Sequence, residues 1–205
     1  MFLEKIVAGV YGVNCYILGD DETKKCAVID PGGDCDGILN IIKKNELNLE
    51  YIILTHGHAD HIGAVKELKE KTNSTVLAHK EEEIVLTNSQ NNLTYMMGGS
   101  IEIEADRYLN DEQSIELGNL NLQTIHTPGH TLGGMCIKVE DCLFTGDTLF
   151  RSSIGRTDLF GGDYDKIIES VNRLSKLDDK LKVFPGHGPA STVETEKAKN
   201  PYIKR

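Results

Sequence analysis

Residues 55–63 read Thr55-His56-Gly57-His58-Ala59-Asp60-His61-Ile62-Gly63. Three histidines and an aspartate fall between His56 and His61. Imidazole and carboxylate are the side chains that zinc and its neighbours take as ligands. The four residues before the run, Tyr51-Ile-Ile-Leu, form a short apolar stretch that reads as a buried strand. The motif therefore begins where a strand ends, on a rigid platform.

Three further stretches share that placement: Thr127-Pro-Gly-His130, Thr145-Gly-Asp147 and Pro185-Gly-His187-Gly188. Each follows an expected strand, over 122–125, 142–144 and 183–184. Loops beyond strand C-termini on one sheet edge converge on a common crevice. Five of the seven histidines in the chain lie in these four loops. His79 and His126 lie outside them and are read as structural. Five histidines and two aspartates exceed the four ligands of one tetrahedral ion. Two ions sharing a bridging carboxylate would use all seven. Two-metal hydrolytic sites hold their ions roughly 3.5–4 Å apart, and bound water there ionises near neutral pH, at a pKa of about 7.

The remaining pattern alternates. Strands are expected over 14–18, 26–30, 51–54 and 75–78. A helix capped by Asp34 carries Ile38, Leu39, Ile41 and Ile42 inward. Further helices are expected over 64–71, 80–87, 163–176 and 192–199. The second half adds strands over 114–117, 120–125, 135–139, 142–144 and 182–184. Sheets covered by helices follow, rather than a bundle or an all-β sandwich. The polar segment 88–99, rich in Asn, Met and Gly, is expected to be a mobile loop or lid.

Composition excludes several functions. The 205 residues carry a formal net charge of −10, with 39% hydrophobic and 26% charged side chains. Such a surface repels phosphate backbones, and no Lys/Arg stripe offsets it, so a nucleic-acid partner is not expected. No apolar run reaches the ~18–20 residues that span a bilayer. The N-terminus lacks a basic head and apolar core of the secretory kind, so no membrane association and a cytoplasmic location are expected. The five cysteines, Cys15, Cys26, Cys35, Cys136 and Cys142, are odd in number and lack C-x-x-C spacing. Neither a disulfide framework nor a thiolate zinc site fits them.

The H-x-H-x-D-H run with a later His, Asp and His resembles the metallo-β-lactamase superfamily. Within it, the stretches THGHADHIG, HTPGHT, FTGDTLF and FPGHGP resemble the glyoxalase II (hydroxyacylglutathione hydrolase) group. The stretch RSSIGRTDLFGG, residues 151–162, resembles its small single-domain bacterial branch. The resemblance implies an α/β fold, a four-layered αβ/βα sandwich of two mixed sheets flanked by helices, in one domain over 1–205. It implies two divalent metal ions, zinc first, with iron or manganese as alternatives. His56, His58 and His130 would hold one, Asp60, His61 and His187 the other, and Asp147 would bridge them.

The implied reaction is hydrolysis of a small-molecule thioester, an S-2-hydroxyacylglutathione or related acyl-thiol, by a metal-bridging hydroxide. Asp60 and Asp147 would also orient that nucleophile. An aspartate in the third loop suits this branch rather than the antibiotic-degrading enzymes with cysteine there. No C-terminal helical glutathione-binding domain of the glyoxalase II kind is expected. Substrate contacts then fall to two candidates. Arg156 either anchors a substrate carboxylate or pairs with Asp158 or Asp163. Tyr95, with the methionines beside it, either lines the pocket or packs the lid. Two other activities stay open: a mononuclear-iron persulfide dioxygenase, which the IGRTD run also resembles, and a hydrolase of another ester or lactone. Ile62-Gly63-Ala64, in place of the dioxygenases' I-T-G, favours the hydrolase.

Overall fold

Alternation along single strands decides how the layers stack. In strand β2 (Val13–Gly19), Cys15 and Ile17 join a core with Ile38 and Ile42 of helix α1 (Cys35–Lys44) and Leu68 of helix α3 (Val65–Thr72). The residues between them, Tyr16 and Leu18, join a different core with Leu122, Ile137 and Phe144 from the other half of the chain. One face of the sheet thus meets helices and the other meets a second sheet, as the two-residue period of a strand requires. A third core repeats the arrangement on the far side: Ile125, Cys136, Leu143 and Val183 pack against Val171 and Leu174 of helix α5 (Tyr164–Leu174). The result is the four-layered αβ/βα sandwich expected from the sequence. This architecture comes from a computed structural model, which describes residues 1–203, the side chain of Met97 excepted.

The first sheet runs in chain order: β1 (Phe2–Ala8), β2, β3 (Lys25–Ile29), β4 (Asn48–Ile53), β5 (Thr75–His79) and β6 (Arg107–Leu109). Its first three strands are antiparallel and the rest parallel. The second sheet has the order β14 (Ser191–Thr192), β13 (Lys182–Pro185), β10 (Cys142–Gly146), β9 (Met135–Val139), β8 (Leu120–His126), β7 (Ser114–Leu117). A two-stranded ribbon, β11 (Leu149–Phe150) and β12 (Ser153–Ile154), lies outside both. Helix α2 (Ala59–Ile62) follows β4, and α6 (Val193–Lys199) closes the chain. Among the described residues no helix is long and apolar enough to cross a membrane.

The cap expected at Asp34 is present, and Asp163, expected as the first residue of its helix, caps it instead. Asp34 accepts from the Gly37 N–H at the start of α1, and Asp163 accepts from the Lys166 N–H at the start of α5. The helix expected over 80–87 is instead a 3-10 turn, Lys80–Glu82, followed by one turn of α4 (Glu83–Leu86). Its regular winding breaks where Glu82 is fully buried and hydrogen-bonded to neighbouring loops. Strand β1 was not anticipated: an edge strand with half-buried and exposed residues gives little apolar alternation to read. The five cysteines are all buried and free, as small apolar residues.

Candidate metal centre

The four motif loops lie at the C-terminal ends of β4, β8, β10 and β13, and they meet between the two sheets. His56 and His58 lie in the loop leaving β4, and Asp60 and His61 lie in the single turn of α2. Gly32, from the turn after β3, makes that approach possible: a Cβ there would strike the Asp60 carbonyl. Gly186 plays the same part beside His187, since a Cβ would overlap the Asp147 carboxylate and the His61 ring.

All seven predicted ligands come together. His58 Nδ1 lies 3.0 Å from His130 Nε2, and His187 Nε2 lies 3.0 Å from Asp60 Oδ2. Asp147 faces both groups: its Oδ1 is 3.4 Å from His61 Nε2, and its Oδ2 is 3.7 Å from His130 Nε2 and 3.8 Å from His187 Nε2. Three sets of ligand atoms each gather within 4.8 Å: His56, His58 and His130; Asp60, His61 and His187; and His56, His61 and Asp147.

Outer partners fix the rings. His61 Nδ1 sits 3.0 Å from Asp30 Oδ2, which leaves Nε2 for the centre. Asp30 also accepts from the Thr55 N–H at 2.7 Å and the Thr55 hydroxyl at 2.6 Å. That hydroxyl lies 3.2 Å from His56 Nδ1 and turns His56 Nε2 inward. His130 Nδ1 donates to the Arg156 carbonyl at 2.8 Å. Such partners set tautomer and orientation in metal-binding histidines. A second buried carboxylate, Glu82, accepts from the N–H of Gly57 and from Thr131 and the N–H of Gly133. It therefore ties the His56–His61 loop to the His130 loop. The sequence reading missed Asp30 and Glu82. Asp30 had a weak signal, an acid closing a strand before Pro31-Gly-Gly; Glu82 had none in a run of three glutamates.

Three of the rings are held in the form that a cation binds. Burial, then repulsion from neighbouring imidazoles, holds His56 far below its ordinary pKa, and the same causes push His58 down to about 3. Burial also lowers His130. These rings are neutral at physiological pH, the form that coordinates. Burial opposes ionisation of Asp60 and Asp147, yet the histidines beside them outweigh it and keep both carboxylates charged. Within the cluster, His56 Nε2, His58 Nε2, His61 Nε2 and Asp147 Oδ1 are buried without hydrogen-bond partners, and His61 Nδ1 meets Asp30 as an ion-pair contact only. An unsatisfied buried polar atom costs roughly 1–3 kcal/mol. Four of them in one cluster are what a site for divalent cations requires, so the residues present fit two such ions.

A cavity of about 370 Å³ opens onto the cluster, lined by His58, Asp60, His130 and Asp147 and by Tyr11, Leu93, Met96, Arg156 and Leu159. Arg156 thus reaches the mouth, with its guanidinium bonded to both oxygens of Asp158 at 2.7 Å. Tyr95 is not among the lining residues. It is 55% exposed, in the 3-10 turn Thr94–Met97; of the methionines beside it, Met96 does stand at the cavity, together with Leu93. His79 and His126 stack on each other, centroids 3.9 Å apart, away from the cluster.

Comparison with known proteins agrees with this geometry. The model of the metallo-beta-lactamase superfamily matches residues 8–187. The chain is 37% identical to the hydroxyacylglutathione hydrolase GloC of Haemophilus influenzae, over 99% of this chain and 98% of that one. The solved structure of the BLEG-1 B3 metallo-beta-lactamase superposes with a TM-score of 0.93 at 35% identity, covering all of both chains. That of TTHA1623 in a di-iron-bound form gives 0.87 at 31% identity, covering 98% of this chain and 100% of that chain. The chain belongs to the metallo-beta-lactamase superfamily and is related throughout its length to metal-dependent hydrolases.

Proposed function

We propose that the protein is a dinuclear metal-dependent thioesterase of the glyoxalase II type, acting on an S-2-hydroxyacylglutathione or a related acyl-thiol. The observation that carries the metal-dependent part is the cluster of buried, unpartnered imidazole and carboxylate atoms at the foot of an open cavity. The thioester part is supported by the likeness to GloC. His56, His58 and His130 are assigned to one ion, Asp60, His61 and His187 to the other, and Asp147 to both. Two divalent cations, zinc first among the candidates, would supply a Lewis acid and a water that ionises near neutral pH.

The chain's own groups do the rest. Asp60 and Asp147 stay ionised beside the histidines and orient the attacking water. Burial of His56, His58, His61 and His130 keeps bulk solvent from their ligand atoms, while His187 stands partly exposed at the edge. The departing thiolate, with an ordinary thiol pKa of about 8.5, leaves without a dedicated acid. Arg156 can exchange Asp158 for a substrate carboxylate at little cost, because both side chains are exposed and water screens the pair.

The test is turnover by purified, metal-loaded protein of S-lactoylglutathione beside other thioesters, a lactone, an ester and a β-lactam. Thioester cleavage with the highest kcat/KM is expected, lost on chelation and restored by added metal. Preference for the β-lactam would move the protein towards the activity named for BLEG-1. Oxygen uptake with glutathione persulfide, at one iron per chain, would replace the hydrolase reading with the dioxygenase one.

A further inference from the structure

Leu93 holds a left-handed backbone conformation, φ +69°. A bulky residue is rare there, and such strain persists only where the surroundings over-determine it. The surroundings are the fully buried Asn92. Its side-chain oxygen accepts from the Thr94 N–H and hydroxyl, and its amide donates to the carbonyls of Leu86 and Ile101. Its carbonyl accepts from the N–H of Ala59, one residue before Asp60. The Leu93 segment is therefore bolted to the ligand-bearing turn of α2.

Leu93 stands at the cavity with Met96 and Tyr11. Tyr11 comes from the β1–β2 hairpin turn, whose Gly9 and Gly12 both take positive φ. Tyr11 is 65% and Met96 69% exposed. Large apolar side chains grouped in water around a cavity mark a binding surface. The lining described has one cation, Arg156. A glutathione-type thiol arm carries carboxylates and has Arg156 to meet. The acyl arm is left for the large apolar lining residues, Tyr11, Leu93, Met96 and Leu159.

Resting on the thioesterase reading, we propose that Tyr11, Leu93 and Met96 form an acyl-chain subsite, so that the enzyme prefers apolar acyl thioesters of medium length over the short, polar 2-hydroxyacyl group. Each methylene buried on that wall contributes to binding in the transition state, and partial burial makes the gain about two- to fourfold per methylene.

The experiment holds the thiol constant and varies the acyl group. Metal-loaded enzyme is assayed with acetyl-, butyryl-, hexanoyl- and lactoylglutathione. The expected kcat/KM rises along the unbranched series, with hexanoyl at least tenfold above lactoyl. Leu93→Gly suits the positive φ, so it removes the side chain while easing the backbone. Combined with Met96→Ser, it is expected to bring the hexanoyl-to-acetyl ratio at least fivefold closer to one, with melting temperature retained. A flat or falling series in the unaltered enzyme overturns the subsite and leaves the thioesterase reading standing. The same slope in the double variant also overturns it. Failure to cleave any of the four thioesters overturns both.

Discussion

Asp30 takes a left-handed backbone conformation, φ +53°, at the end of β3, which an aspartate tolerates because its short side chain bonds locally. Its carboxylate holds Thr55 and faces His61. Asp30→Ala should therefore weaken metal binding about 10–100-fold, as read by competition with a chromogenic chelator, with the fold kept. His79 reports on pH away from the centre. Burial, then the neighbouring His126, lowers it from 6.5 to about 4. Between those values the unfolded chain takes up a proton that the folded chain refuses. Its contribution is complete above about pH 6.5 and is lost as pH falls towards 4. His79→Gln should flatten the fall in melting temperature across that window. The seven candidate ligands were legible as residues because their spacing and strand-end placement are local. Asp30 was not, since its partners Thr55 and His61 lie 25 or more positions along the chain and only the sheet joins them.

Glu82 acts between elements. Burial pushes its carboxyl up to about 7, against the three donors that favour the charged form. Glu82→Ala would strand the N–H groups of Gly57 and Gly133 in a buried place. A loss of about 2–5 kcal/mol follows from the unsatisfied donors alone, seen as a fall in urea midpoint, together with weaker metal binding because two ligand loops lose their tie. In the inter-sheet layer, Phe144 is fully buried against Tyr16 and Phe184. Phe144→Ala should cost about 3–5 kcal/mol in the same measurement. The strands bearing Phe144 and Tyr16 were readable from apolar runs. The short partners β6, β11, β12 and β14 were not, because two or three residues are too few to show a period.

At the scale of the molecule, the site is a seam. Ligands from the first sheet's half face ligands from the second's, and Asn14 crosses the seam by donating to the carbonyls of Pro185 and Gly188 beside His187. A cation bound by both halves stabilises the whole fold. Saturation at about 1,000 times Kd would contribute about 4 kcal/mol, so chelation should lower the melting temperature and readdition restore it. The layered fold was legible from alternating strands and helices, and Arg156 and Met96 were legible as candidates for the cavity, while Tyr11 and Leu93 were not. Tyr11 sits in a hairpin turn and Leu93 in a polar stretch, and neither carries a motif; only the folded chain brings them to one opening.

Metal content bears most directly on all of this. Protein reconstituted with excess zinc and freed of loose ions should hold two equivalents per chain by elemental analysis. Asp60→Ala should reduce that to one, with the circular-dichroism spectrum unchanged. A single equivalent in the unaltered protein, unaffected by Asp60→Ala, would contradict a dinuclear centre built from these seven residues.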